Sequence, residues 1–264
     1  MSYLSPIGNC PVIGDDNWQQ HVKHSDGAAF GRGFEGPSPE GYGAAALVEF
    51  PKSLIIPMDE WDERIEEQER TESTLYHMIR RYGLKVKNQG QTNYCWAFST
   101  TWCTEIIRVK QNEPYRELSA TSVACLIKNY RNVGGYGDEA LDFLAETGPT
   151  TVALWPERQL QKTFDNPESR AARAQNRVTK WFKPRTLLEY GSALLRRIPV
   201  SGGHNFWRHQ VSHVRLVKRD GRQRYGGMFG NSWDVTYGDD GYGVLEGDRM
   251  LPDDMCCPAV TEGA

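Results

Sequence analysis

The sequence lacks the features that mark a membrane-spanning or a secreted protein. Its apolar runs are a few residues long, as at Leu54-Ile55-Ile56, whereas a membrane-spanning helix needs about 20 predominantly apolar residues in succession. The first residues, Met1-Ser2-Tyr3-Leu4-Ser5-Pro6, have neither the basic start nor the apolar stretch of a secretory signal. We therefore expect a cytoplasmic protein with no membrane partner.

Cysteine and an excess of one charge are also scarce. Six cysteines in 264 residues are too few for a disulfide-built scaffold, and none forms the C-x-x-C pair of a zinc site. A formal net charge of −3 is far from the basic balance of a nucleic-acid-binding protein. These scarcities predict reduced thiols, no metal and no nucleic-acid partner.

The chain divides into three segments by composition. Residues 1–57 are rich in glycine and proline and show no sustained period, which predicts an extended or mobile arm. Residues 58–82 are charged and helix-prone, and we expect one or two helices there that end near Gly83. Residues 83–264 hold the remaining periodic pattern and form the predicted main domain.

Helical patterns fill the first half of this domain. Apolar side chains recur at spacings of 3 and 4 from Cys95 onward, Ser119 can cap a helix over 120–128, and a third helix is predicted over 138–146. The basic segment 157–185 is rich in helix formers and is interpreted as a solvated helix face.

Strand patterns follow in the second half. They cover 210–218, 224–231 and 242–246, with a hairpin turn at Asp220-Gly221. Helices first and antiparallel strands second indicate an α+β protein with a helical lobe and a β lobe.

Cys95 lies where a thiol can become a nucleophile. It stands in the run Q-G-Q-T-N-Y-C-W-A-F-S, at the expected start of a helix, where the helix dipole favours a thiolate. A lone cysteine is more often a buried structural residue, so the surrounding motifs carry the argument.

Four motifs in order resemble the papain family of cysteine peptidases over about residues 83–250. Gln89 lies six residues before Cys95, and Glu117-Leu118-Ser119 resembles the family's Leu-Ser helix start. Gly134-Gly135-Tyr136 resembles its Gly-Gly-Tyr segment, and Asn231-Ser232-Trp233 resembles its Asn-Ser-Trp block. The resemblance implies a two-lobe papain-like fold, with a helical lobe, an antiparallel β-barrel-like lobe and an active-site cleft between them.

The resemblance also implies the roles of the residues. Cys95 would be the nucleophile of a thiol protease, Gln89 an oxyanion donor, Asn231 the residue that orients the catalytic imidazole, and Trp233 its cover. Gly134 and Gly135 would pair with an extended peptide or protein substrate. The implied reaction is peptide-bond hydrolysis through an acyl-enzyme, which needs no cofactor.

The sequence offers two candidates for the catalytic base. We favour His209, because Val211 and Val214 follow it at +2 and +5, whereas His213 would place Arg215 and Lys218 at those positions of a buried strand. His213 stays the alternative, and His204 needs no role.

One tryptophan near this histidine has two interpretations. If His209 is the base, Trp207 would lie near the pocket for the second substrate side chain upstream of the cut. Ordinary core packing is the alternative.

The chain departs from the family at several positions. Thr92 and Asn132 replace two cysteines that are usually bridged, which agrees with a reducing compartment. Asp234 replaces the glycine that usually follows Asn-Ser-Trp. Trimmed, disulfide-free sequences of this kind resemble peptidase-like proteins of bacteria and their phages.

Two other functions are compatible with these motifs. The first is a catalytically weak papain-fold protein that serves a structural or interaction role in a larger assembly such as a virion, attached through the N-terminal arm, which could instead be a propeptide. The second is transfer of the acyl group to an amine in place of water. The expected location is cytoplasmic, and virion association is part of the first alternative.

Overall fold

The computed structural model describes residues 3–23, 30–39, 47–220 and 224–261. Its helices are α1 (Trp18–Lys23), α2 (Trp61–Arg70), α3 (Leu75–Tyr82), α4 (Cys95–Lys110), α5 (Ala120–Ile127), α6 (Gly137–Glu146), α7 (Pro167–Arg173) and α8 (Leu187–Leu195). Its strands are β1 (Val12–Ile13), β2 (Leu47–Glu49), β3 (Val178–Lys183), β4 (Val200–His204), β5 (His209–Lys218), β6 (Tyr225–Gly230), β7 (Tyr242–Glu246) and β8 (Asp254–Thr261). Within these ranges, no helix is both long enough and apolar enough to cross a membrane.

The strands form one sheet in the order β1-β7-β6-β5-β4-β8-β3-β2. The six central strands pair antiparallel, and the two outermost pairs, β1 with β7 and β2 with β3, are parallel. Both outermost strands come from the N-terminal arm, so the arm completes the two edges of the sheet. Covered edges protect the unpaired main-chain groups of β7 and β3.

The helical lobe is built around α4. Every residue of this helix except Lys110 is buried, because α5, α6 and the sheet all pack against it. Ser119 caps α5 by accepting a hydrogen bond from the backbone N–H of Ser122, as its position in the sequence predicts. Trp96, Phe98 and Trp155 are among the large side chains of this core.

The β lobe places β5 at its centre. All ten residues of the strand are buried, because α2, α3, α4 and α8 all pack against it. The predicted α+β fold with a helical and a β lobe is therefore correct. The helices predicted at 58–82 and the strand predicted at 242–246 are also found, and Gly83 ends α3 with a left-handed φ of 68°.

Two regions differ from the sequence-based expectation. The arm was predicted to be extended or mobile, yet it contains β1, α1 and β2, whose two to six residues are too few to produce a readable period. The segment 157–185 is helical only at α7 and in short 3-10 turns, and it ends in β3. There the pairing with β8 and the buried Trp181 outweigh the local helix preference. The predicted turn at Asp220-Gly221 extends into residues outside the described part of the chain.

Candidate active site

Cys95 is the first residue of α4, and its side chain is fully buried. Main-chain groups of Gln210 on β5 and of Gly33 and Phe34 in the arm lie close enough to the sulfur to favour its thiolate form. Helix α4 therefore brings the thiol against the beginning of β5, because Gln210 is the residue that follows His209.

His209 opens β5 and is fully buried. Its Nε2 lies 2.9 Å from Oδ1 of Asn231, at the end of β6. Because an amide oxygen only accepts, Nε2 carries the proton and Nδ1 holds a free lone pair. Nδ1 is buried and has no hydrogen-bond partner in the described residues. The indole of Trp233 stacks on the imidazole at 4.5 Å between ring centroids and shields this hydrogen bond from water.

His213 and His204 lie deeper in the β lobe and bind each other. Nδ1 of His213 lies 2.8 Å from the hydroxyl of Tyr190, and its Nε2 lies 3.2 Å from Nε2 of His204. Both ring nitrogens of His213 are thus engaged by groups other than the thiol. Cys95 contacts Gln210, the residue that follows His209 at the start of β5.

Gln89 is fully buried beside the thiol-bearing helix. Its Nε2 donates to the carbonyl of Thr92 at 2.7 Å and to the carbonyl of Gly31 at 2.9 Å. Its Oε1 accepts a hydrogen bond of 2.5 Å from Ser232, which fixes which way the amide points. The amide proton that faces the cleft is therefore bound to a carbonyl of the arm.

The arm crosses the cleft as an extended chain. Gly135 donates from its N–H to the carbonyl of Gly33 at 2.8 Å and accepts from the N–H of Glu35 at 3.3 Å, so Phe34 and Gly135 form a parallel bridge. A side-chain carbon on Gly134 would lie 2.7 Å from the carbonyl of Gly33. The predicted Gly-Gly segment therefore does pair with an extended main chain, and that chain belongs to the protein itself.

Two aromatic residues anchor the arm on either side of the thiol. Phe34 is 2% exposed, and its ring occupies the place where a side chain on Gly203 would be. Phe30 stacks on Trp233 at 5.9 Å, and Nε1 of Trp233 donates to the carbonyl of Gly31 at 3.3 Å. Trp233 thus contacts both the imidazole and the occupant of the cleft.

Trp207 lies behind the imidazole, at 1% exposure, in a buried cluster of the β lobe. Its indole meets the rings of His209, Phe229 and Trp233 edge-on at 5.1 to 5.7 Å. Trp207 thus packs in the core, which is the second of the two interpretations given for it. The space beside Gly203 holds the ring of Phe34.

The arm residues were not singled out from the sequence. Side-chain carbons on Gly31 and Gly33 would lie 2.2 Å from the carbonyl of Thr92 and 1.9 Å from that of Asn93, so the arm fits only because both residues are glycine. The alternation Gly31-x-Gly33 followed by Phe34 was the available signal. The composition of this segment predicted only an extended or mobile arm.

A sequence profile described as papain family cysteine protease matches residues 79–201, the stretch that contains Gln89, Cys95 and the Gly-Gly segment. Over these residues the chain is similar to the papain-family cysteine peptidases. Cathepsin K of Mus musculus is 26% identical over 207 residues, which are 70% of this chain and 61% of the mouse protein. The papain-like chain thus aligns with less than two thirds of that relative's length.

Solved structures share the fold. Xylellain, a cysteine protease from Xylella fastidiosa, superimposes with a TM-score of 0.62 over 89% of this chain and 97% of that one, at 13% identity. Digestive procathepsin L 3 of the Tenebrio molitor larval midgut gives a TM-score of 0.57 over 67% and 66%, at 19% identity. These likenesses establish the papain-like fold.

Hydrogen bonds occupy the place of a bridge that papain-like relatives usually have. The side chain of Asn132 accepts from the N–H of Asn93 at 2.7 Å and donates to the carbonyl of Gln91 at 3.4 Å. These bonds tie the loop before Cys95 to the segment before the Gly-Gly pair. All six cysteines of the papain-like chain are free thiols.

Burial sets the charge state of the covered papain-like site. It raises the pKa of the Cys95 thiol to about 11, although main-chain hydrogen bonds act in the opposite direction. Burial lowers the pKa of His209 to about 3, opposed by the bond to Asn231 and reinforced by the positive charge of Arg32 in the arm. At neutral pH the covered pair is therefore a thiol and a neutral imidazole.

Proposed function

We propose that this chain is a cysteine peptidase that hydrolyses peptide bonds and is latent while its arm lies in the cleft. The observation that carries the proposal is the orientation of His209, whose Nε2–H is held by Asn231 while its buried Nδ1 has no partner in the described residues. A base that a third group orients, on a strand whose next residue contacts a thiol at a helix start, suits a nucleophile-activating pair.

Each residue then has one task in the reaction. Nδ1 of His209 takes the proton of Cys95, and the sulfur forms a bond to the substrate carbonyl carbon while Gln89 and the backbone N–H of Cys95 hold the oxyanion. The carbon–nitrogen bond breaks as the imidazolium protonates the leaving amine. Water then hydrolyses the thioester, with His209 again accepting the proton.

The substrate class is an extended peptide or protein segment. Gly135 offers one N–H and one carbonyl to such a chain, and the arm uses both. A cleft that hydrogen-bonds the main chain of Gly31, Gly33, Phe34 and Glu35 suits a polypeptide better than a small amide. Gly203 leaves room for a large apolar side chain such as that of Phe34.

The arm lies in the cleft in a way that does not lead to its own cleavage. Main-chain groups of Gly33 and Phe34 lie against the sulfur, and Gln89 and Gly135 donate hydrogen bonds to the carbonyls of Gly31 and Gly33. A scissile bond needs its carbonyl carbon at the sulfur, with its oxygen in the oxyanion hole. The arm thus blocks the site and withholds one oxyanion donor.

Leaving the cleft would also activate the pair electrostatically. Water that enters with the arm's departure relieves the burial that raises the pKa of Cys95 and lowers that of His209, and Arg32 departs with the arm. The two pKa values move toward each other, and the thiolate–imidazolium form gains population.

The test is a full-length Gly33→Ala variant, because the added carbon would lie 1.9 Å from the carbonyl of Asn93 and should expel the arm. We expect alkylation of Cys95 by iodoacetamide, and cleavage of a peptide library, to rise at least tenfold over the unmodified chain. Mass spectrometry of the products should show addition of water, whereas acyl transfer would show addition of an amine.

Two control variants accompany it. Gly83→Ala makes the same substitution at a left-handed glycine with nothing within 4 Å, and it should stay latent. Gly33→Ala combined with Cys95→Ala should be inactive. If the Gly33→Ala chain is alkylated readily but cleaves no peptide, the peptidase proposal is wrong and the structural role gains support.

The setting of the protein is also part of this proposal. The six free thiols support a reducing compartment such as the cytoplasm, and thiol titration of the protein from its native extract should count all six. Attachment of the arm to a larger assembly such as a virion stays a prediction.

A further inference from the structure

The segment that carries Gln89 is bound along its length to the segment after β6. The N–H of Gln89 donates to the carbonyl of Ser232 at 2.9 Å, and the N–H of Asp234 donates to the carbonyl of Lys87 at 3.3 Å. Asn88 and Trp233 form an antiparallel bridge between these two bonds. The position of the Gln89 side chain thus depends on how firmly these two short segments hold together.

Asp234 adds a side-chain contact to this pairing. Its Oδ2 accepts a hydrogen bond of 2.8 Å from Nδ2 of Asn88, and its Oδ1 accepts one of 2.6 Å from the N–H of Val235. Asn88 in turn accepts from the N–H of Gly90 at 2.9 Å through Oδ1. The contacts run from Asp234 through Asn88 to Gly90 and so hold the main chain on both sides of Gln89.

The backbone at Asp234 makes this contact costly to keep. Its φ is +77°, a left-handed conformation that glycine adopts most easily, and glycine usually stands here in papain-like sequences. A side chain at such a position costs stability, and strained residues of this kind cluster at functional sites. The contact with Asn88 is the gain that this carboxylate brings.

We propose that Asp234 and Asn88 are positioning residues that hold the amide of Gln89 at the oxyanion site. The inference rests on the proposed function, in which Gln89 stabilises the developing negative charge. An oxyanion donor works only when it is fixed in place before the reaction, and its position depends on the residues that support it. Asp234 provides a support that the usual glycine lacks.

The kinetic test compares two variants in the full-length Gly33→Ala chain. Asp234→Gly removes the carboxylate but suits the left-handed backbone. We expect kcat to fall about tenfold with little change in KM. This loss is smaller than the 10²–10³-fold loss of kcat when an oxyanion donor itself is removed. Alkylation of Cys95 by iodoacetamide, which forms no oxyanion, should keep its rate. Asp234→Asn retains an acceptor for Asn88 and should recover most of the activity.

Asp240→Gly is the matched control. Asp240 also has a left-handed backbone, with φ of +54°, but its carboxylate bonds the exposed Arg80 instead of Asn88. We expect kcat to be unchanged in this variant. Equal losses in the two glycine variants, or an equal loss of alkylation and turnover in Asp234→Gly, would overturn the proposal.

Amide hydrogen exchange in the otherwise unmodified full chain tests the same idea without activity. The N–H groups of Gln89 and Gly90 should exchange at least tenfold faster in Asp234→Gly than in the unmodified chain. Their exchange rates should not change in Asp240→Gly. Unchanged exchange in Asp234→Gly overturns the proposal even if turnover falls. A Gly33→Ala chain that cleaves no peptide refutes the peptidase function, and exchange alone then decides whether Asp234 fixes Gln89.

Discussion

His209 and His213 lie four residues apart on β5, are both fully buried, and differ in the partners of their ring nitrogens. Burial lowers the pKa of each imidazole to about 3. His209 gives one nitrogen to Asn231 and leaves the other without a partner, whereas His213 gives its nitrogens to Tyr190 and His204. The two histidines thus share burial and a lowered pKa but differ in their hydrogen bonds, because only His209 keeps a ring nitrogen with a free lone pair.

The neighbours of the two rings also differ. Trp233 covers one face of His209 while the main chain beside it contacts Cys95. His213 packs against Tyr190, and a side-chain carbon on Gly227 would lie 2.0 Å from the Tyr190 hydroxyl. His213 is therefore surrounded by other side chains, although it lies on the same strand as His209, which borders the cleft.

The largest expected effect comes from exchanging each histidine for glutamine in the Gly33→Ala chain. His209→Gln should lower kcat about 10³-fold, because general acid–base catalysis contributes 10²–10⁴. His213→Gln should leave kcat of the folded protein within a few-fold while lowering the free energy of unfolding. Peptide turnover and thermal unfolding measured on both variants check this, and the reverse pattern would identify His213 as the base.

Acidification should act alike on the three buried histidines of the β lobe. His204, His209 and His213 are held neutral with a lowered pKa, so the unfolded state binds more protons below about pH 6.5. Their contribution to stability is complete above that pH and is lost as the pH falls toward 3, by up to about 1.4 kcal/mol per pH unit for each histidine.

Urea unfolding of the full chain between pH 7 and pH 4.5 measures this effect. A His213→Gln variant should show a shallower dependence on pH than the unmodified chain. Stability that is flat over this range would show that the histidines are not held neutral.

Tyr190→Phe should produce the smallest of these effects. Removal of the hydroxyl leaves a buried ring nitrogen of His213 unpaired, which costs about 1–3 kcal/mol of unfolding free energy. Turnover of the Gly33→Ala chain should not change, because His209 keeps its partner.

Tyr225→Phe is the matched control, since Tyr225 donates to Asp62 instead of a histidine. The ¹⁵N resonance of Nδ1 in His213 should move only in Tyr190→Phe. A fall in turnover for Tyr190→Phe would connect the inner histidines to the reaction.

Several features could be predicted from the sequence because they are local. The start of α4 at Cys95, the Ser119 cap of α5 and the strand at Tyr242–Glu246 follow from periodicity and capping over a few residues. Strands β1 and β2 could not be predicted, because two or three residues have no period and exist only through pairing with β7 and β3.

The candidate site divides in the same way. The sequence by itself indicated Gln89, Cys95 and Asn231 in order, because each belongs to a short motif, and it left the base open between His209 and His213. The tertiary structure decided which histidine nitrogen is free, where Trp207 packs, and that residues 30–36 fill the cleft. Those outcomes depend on contacts between segments that are distant in the chain, and local composition carries no information about such contacts.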